Sequence, residues 1–245
     1  ILQSTWSNPA TNKLLFEGGF TFYNERWIFG PEPYNVNGYG TDAVISKTES
    51  SLGITYGANN VFTTAYNHQF NVRAAANYVT GSHSFKVGMQ NMWGTRQYTY
   101  DTNQAQAWSF TRGIPTSITQ YARPLIDLEK LKSALGLYAQ DRWNVGRLTL
   151  NYGVRFDYHN AYVPAQELAA IPFVAARSYE PISDVPNWKD ITPRVGATYD
   201  LFGNGKTVVR GNWGRYLASE STNMATLNNR VNTSVNSASR SWSDT

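Results

Sequence analysis

The chain has 245 residues, enough for one large domain, and carries a formal net charge of +4 with no Lys/Arg cluster, which is no footprint for nucleic acid. It has no cysteine, which excludes thiol catalysis, cysteine-held metals and disulfides. No apolar run reaches the roughly 18 residues of a transmembrane helix; a mean hydropathy of −0.44 is compatible with a β-barrel, whose lumen and loops are polar.

The first predicted strand covers residues 12–23, where Leu14, Phe16, Gly18, Phe20 and Phe22 alternate against Leu15, Glu17, Gly19, Thr21 and Tyr23. Residues 24–42 hold two prolines and three glycines and read as a long loop, with Trp27 and Tyr34 as candidate ligand contacts. Residues 43–56 read as one strand broken near 48–50, followed by 61–67. Residues 69–79 alternate cleanly, with Phe70, Val72, Ala74, Ala76 and Tyr78 on one face. After a tight turn at 81–83, residues 84–100 form the longest strand, too long for a bilayer, so its far end projects beyond it. Residues 105–123 read as a hairpin around Gly113 and Pro115.

Residues 131–143 and 147–160 form the first strong hairpin. Leu148, Leu150, Tyr152, Val154, Phe156 and Tyr158 share one face; Arg147, Thr149, Asn151, Gly153, Arg155 and Asp157 share the other. Residues 161–190, with four prolines, read as a loop carrying Tyr162 and Trp188 as further candidate ligand contacts and a short helix within ELAAIPFVAA. A second strong hairpin, 191–202 and 206–217, repeats the two-faced pattern. The chain beyond 218 is rich in Ser, Thr and Asn and reads as loop or disordered. Short turns near 81–83, 144–146 and 203–205 alternate with long connections, which assigns the short turns to the periplasm and the long loops to the outside.

The polar faces carry Gly, Thr, Asn, Arg and Asp instead of the Lys and Glu of a soluble exposed face. The apolar faces end in aromatics. Together they predict an all-β protein, an antiparallel transmembrane β-barrel segment of roughly ten strands. By parity Lys86, Arg155, Asp157, Arg194, Asp200 and Arg210 face the lumen, because a cation on the lipid face would cost about 2–4 kcal/mol at the bilayer midplane.

The strings LGLYAQDRW, LTLNYGVRFDY and ITPRVGATYDLFGNGKTVVRGNWGRY resemble the barrel of TonB-dependent outer-membrane receptors, in particular the Oar-like group. The match is dense over 133–216 and looser over 12–111. The resemblance implies a piece of a barrel of about 22 strands, spanning 1–245 without the plug domain, in the outer membrane of a Gram-negative bacterium. It implies uptake of a large scarce ligand (a siderophore, cobalamin, glycan or peptide), with TonB acting through the plug. The lumen set would contact plug or ligand, and outer-membrane lipid would be the remaining partner. Alternatives are a self-contained small barrel, a porin or hydrolase, and a soluble β-sandwich carbohydrate-binding module. The polar end at Thr245 and the absent leader are read as those of a fragment.

No catalytic, cofactor or metal site is expected. A phosphate loop at 203–207 needs Gly where Asp200 stands. His68, His83 and His159 lack partners at ligand spacing. No GxSxG occurs; Asp157, Asp184, Asp190 and Asp200 could supply paired carboxylates as in outer-membrane proteases, but their loop and lumen placement without a His partner argues against it.

Overall fold

A computed structural model describes residues 1–30, 43–171, 174–218 and 220–242. Fifteen strands and two short helices are present among them. The strands are β1 (Leu2–Pro9), β2 (Leu14–Phe29), β3 (Ser46–Glu49), β4 (Ile54–Tyr56), β5 (Phe62–Thr80), β6 (His83–Asp101), β7 (Gln106–Thr111), β8 (Ile114–Tyr121), β9 (Leu125–Val145) and β10 (Leu148–Tyr162), then β11 (Gln166–Leu168), β12 (Arg177–Tyr179), β13 (Asn187–Asp200), β14 (Val208–Gly214) and β15 (Ser237–Ser241). The helices are α1 (Asn223–Asn228) and α2 (Arg230–Thr233).

Eight strands build one antiparallel sheet in the order β1-β2-β5-β6-β9-β10-β13-β14. The fold is all-β, as the alternation predicts, and the sheet is not closed: β1 and β14 each have one partner. Its two faces differ as the parity argument requires. Outward residues such as Val87, Val154, Val195 and Trp213 are 47–64% exposed. A water-facing sheet would be destabilised by such a face, and a lipid-facing one requires it.

Interior parity holds along each strand because a bulge corrects it. Met92 pairs with Ala134 and Gly94 with Leu131, so one extra residue of β9 sits opposite Trp93. Below the bulge the even residues of β9 face inward; above it Leu131, Glu129 and Asp127 do. The same extra β9 residue shows against β10, where Asn160 pairs with Ser133 and Ala161 with Leu131. The bulge lies roughly one bilayer crossing above the short turns, since a barrel strand crosses in about 9–11 residues.

Above that level the chain builds an outer layer. β15, β8, β7, β3 and β4 form a five-stranded sheet in which β3 and β7 run parallel. β11 and β12 form a separate hairpin. The small apolar cluster of Leu131, Ala161, Val163 and Ala225 sits at the rim, where α1 rests on β9 and β10.

The outer layer departs from the sequence reading. β2 continues through Phe29, because Glu25 to Phe29 find partners on β5 and Trp27 pairs with Ala65. Residues 43–56 form a hairpin instead of one broken strand, with β3 folded back on β4. Residues 62–80 are one strand. The 161–190 connection holds the β11–β12 hairpin where a helix is expected, and β13 begins at Asn187. The polar tail beyond 218 orders into α1, α2 and β15, because its asparagines find buried partners on other strands.

Candidate functional site

The inner face of the sheet carries two polar levels. The lower borders a cavity of about 980 Å³ whose wall includes Lys86, Arg142, Arg155, Arg194 and Arg210. Adjacent strands place these cations on one face, since Gly153 pairs with both Gln140 and Arg194, and Thr198 pairs with Arg210. Lys86 reaches Glu17 at 3.2 Å, and Arg155 Nε donates to Asp157 at 2.7 Å. Arg194 lies over the Tyr216 ring, 4.6 Å from its centre. Arg142, Arg194 and Arg210 have no carboxylate within ion-pair reach among the described residues. The wall is therefore a cationic surface.

Glycines opposite the long side chains make this wall smooth. Tyr138 lies across Gly88, where a Cβ would meet its hydroxyl at 2.5 Å. The Arg155 guanidinium lies over Gly136, and a Cβ there would collide with it. Side chains laid flat on the sheet leave the lumen open.

A second cavity of about 460 Å³ lies above, bordered by Arg155, Asp157, His159, Trp188, Asp190 and Glu220 among others. Here Asp157 pairs across the strands with Asp190, which is bound by Arg215 at 2.5 Å. His159 packs against Trp188 and its Nε2 lies 3.0 Å from the Ser221 carbonyl.

The upper level is a ladder in which Glu25, Asn67, Arg96 and Glu129 pair in turn across four strands. Arg96 donates to both Asp127 and Glu129 at 2.7 Å. Onto this pair the α1–α2 segment closes. Asn229 donates to Glu129 at 2.9 Å and to Asp127 at 3.1 Å, while its oxygen accepts from Gln166 and from the Val231 amide. Asn232 adds a bond to Asp127 at 2.6 Å. Glu129 and Asn229 are fully buried. Burial, and then the neighbouring Asp127, push the Glu129 carboxyl up to about 7. Burial raises Asp127 too, yet hydrogen bonds from Glu129, Arg96 and Asn232 outweigh it and hold that carboxyl below its usual range. Glu129 lies 16 residues along β9 from Val145, beyond a bilayer crossing. The α1–α2 segment is thus latched by polar contacts onto the inner face of β9, above the bilayer crossing.

In the outer sheet, Glu49 accepts from the Ser51 hydroxyl and from the amides of Ser51, Arg112 and Gly113. The Ser51 hydroxyl and then the Gly113 amide bring its carboxyl down to about 2, which ties the β7–β8 turn to β3.

Of the lumen residues expected from parity, Lys86, Arg155, Arg194 and Arg210 meet around the lower cavity and Asp157 borders the one above it. Asp200 shares the parity but stands at the turn, where its carboxylate accepts from the Gly203 and Gly205 amides. Trp27 is on β2, edge-on to Tyr98 at 6.0 Å; Tyr162 ends β10; Trp188 lies on β13 beside the upper cavity. Tyr34 lies outside the described residues. Sequence reasoning missed the latch and its receptors, Asp127 and Glu129. Two carboxylates two residues apart just above a bulge were the available signal.

Residues 5–244 match a family described as outer membrane beta barrel domain. A stretch of 116 residues is 28% identical to the TonB-dependent transporter Oar of Myxococcus xanthus, covering 46% of this chain and 9% of that relative. The chain therefore spans a small part of the relative's length. No solved structure matches. The outward apolar face, the inward polar face and the family match, which sets aside the soluble sandwich, agree: the chain belongs to the outer membrane beta barrel domain family and its wall stands in the outer membrane.

Proposed function

We propose that this chain is wall and outer layer of a TonB-dependent receptor of the Oar-like group, in the outer membrane of a Gram-negative bacterium. Such a receptor takes up a large scarce ligand, and TonB supplies the energy through a plug domain within the lumen. The observation that carries this reading is the cationic inner wall around the 980 Å³ cavity. A small eight-stranded barrel fills its interior with its own side chains. Here the sheet is unclosed and its flat-lying inner side chains leave room for a separate body. Exposed, unpaired arginines favour an acidic surface on that body, and Arg194 and Arg210 would carry the contact, with Lys86, Arg155 and Asp157 beside them. The similarity to the Oar transporter supports the same reading.

The test is leak conductance of the full-length protein in planar bilayers. Arg194→Ala and Arg210→Ala are expected to leave the wall folded, with unchanged heat-modifiability on a gel, and to raise the leak several-fold as the plug loosens. Unchanged conductance in both variants overturns the assignment of these residues.

A further inference from the structure

One carboxylate breaks the pattern of the lipid-facing side. On that side the cross-strand row runs Leu14, Tyr78, Phe85, Asp141, Tyr152, Val195, Trp213. Every member except Asp141 is apolar or aromatic. The Asp141 side chain is 4% exposed and fully engaged. His83 Nδ1 lies 2.6 Å from Oδ2, the Tyr152 hydroxyl donates to Oδ2 at 2.8 Å, and the Ser84 amide donates to Oδ1 at 3.1 Å. An ionised carboxylate only accepts, so the Nδ1 hydrogen is committed to it.

The imidazole is locked in place. It stacks on Phe85 at 5.2 Å and on Trp143 at 5.3 Å, within 10° of parallel to both. No protein group meets its Nε2 among the described residues, and the side chain is 32% exposed. His83 is the first residue of β6 after a short turn and pairs with Trp143, two residues before the end of β9. That is the level of the aromatic girdle and the lipid headgroups. The neighbouring short turns carry three cations, Lys13, Arg147 and Lys206, against one carboxylate, Asp200, so the rim around the site has a cationic excess.

We infer that His83, held by Asp141 between Phe85 and Trp143, is a seat for the phosphate of a membrane phospholipid in the periplasmic leaflet. The Nε2–H of the imidazolium donates to a phosphate oxygen. Asp141 balances the imidazolium charge, so the pair itself adds no net charge at the bilayer edge. The flat faces of Phe85 and Trp143 lie against the glycerol and upper acyl carbons. An ion pair facing lipid, buried at its Asp141 end, is costly to build, and a headgroup partner at the free Nε2 accounts for its position. The inference rests on the outer-membrane wall and not on the identity of any transported ligand.

The experiment is ¹⁵N–³¹P dipolar dephasing in solid-state NMR on the full-length protein labelled at histidine. It is reconstituted in phosphatidylglycerol bilayers in phosphate-free buffer. The His83 Nε2 signal, assigned by its loss in His83→Gln, is expected to dephase, and Asp141→Asn is expected to weaken the dephasing by freeing the ring. Heat-modifiability on a gel checks that both variants keep the fold. In galactolipid bilayers supplied with inorganic phosphate the signal is expected to stay undephased. Absence of dephasing in phosphatidylglycerol, or equal dephasing with free phosphate, overturns the lipid seat.

Discussion

The membrane wall and the outer layer of this chain are stabilised in different ways. The wall is a backbone structure: β5 and β6 pair without interruption over 19 residues each, and most of their residues are only half-buried. Its side chains need satisfy only parity, apolar outward and polar or small inward. The outer layer has no such repeat. It depends on a few buried polar atoms: Glu49 at the β7–β8 turn, and Asn229 on Asp127 and Glu129. A barrel wall therefore tolerates many substitutions that preserve parity, whereas the latch has single residues on which a whole segment depends.

Removing the cation between the two buried carboxylates should separate the regions most. Arg96→Met leaves Asp127 and Glu129 side by side without their cation, held only by the amides of Asn229 and Asn232, a change of about 3–5 kcal/mol for a broken buried pair. Amide hydrogen exchange is expected to accelerate across the α1–α2 segment while β5, β10 and β13 keep wild-type protection. Loss of protection in the wall as well would mean the two regions are not separable.

A smaller effect is expected where the wall itself is specific. Gly136→Val sets a side chain into the space of the Arg155 guanidinium. It should break the 2.7 Å bond to Asp157 and destabilise by about 1–3 kcal/mol, as overpacking does. The heat-modification midpoint reads this, and an unchanged midpoint would show that Arg155 has another place to lie.

The gentlest probe is pH. Glu129 is pushed up to about 7 when buried, against an ordinary 4.5 for a solvated glutamate. The closed state therefore holds an extra proton between these values. Its stabilisation is complete below 4.5 and is lost as pH rises toward and through 7, at up to about tenfold in the closed-to-open ratio per pH unit. The charged groups that face Glu129 are Asp127, held low, and Arg96; Tyr100, raised by burial and then by Asp127, faces Asp127. Exchange at the Val231 amide, corrected for the intrinsic base-catalysed rate, should be slower at pH 5 than at pH 8. The opposite order would sink the latch titration and leave the Arg96 prediction standing.

Much of the wall was legible because its signal is local. Val154 and Arg155 differ in kind and sit on opposite faces, and no distant residue is needed to see it. Lys86, Arg194 and Arg210 followed from the same count. Trp27 reads as a loop residue in sequence because the proline-rich stretch after it hides six residues of pairing with β5, Asn24 to Phe29. The Asp141–His83 pair was invisible because the partners are 58 residues apart and meet only across β6 and β9.

The sequence by itself determined a two-faced, all-β wall with short turns at one end, because strand periodicity and turn chemistry act between near neighbours. Only the tertiary structure decided what packs onto the inner face of β9 and which carboxylate interrupts the lipid-facing side. A bulge on β9 turned Asp127 and Glu129 inward, and strand pairing brought Asn229 from a distant polar tail onto them. Side chains far apart in the chain become partners only when the register of several strands is fixed together, and no local pattern records that register.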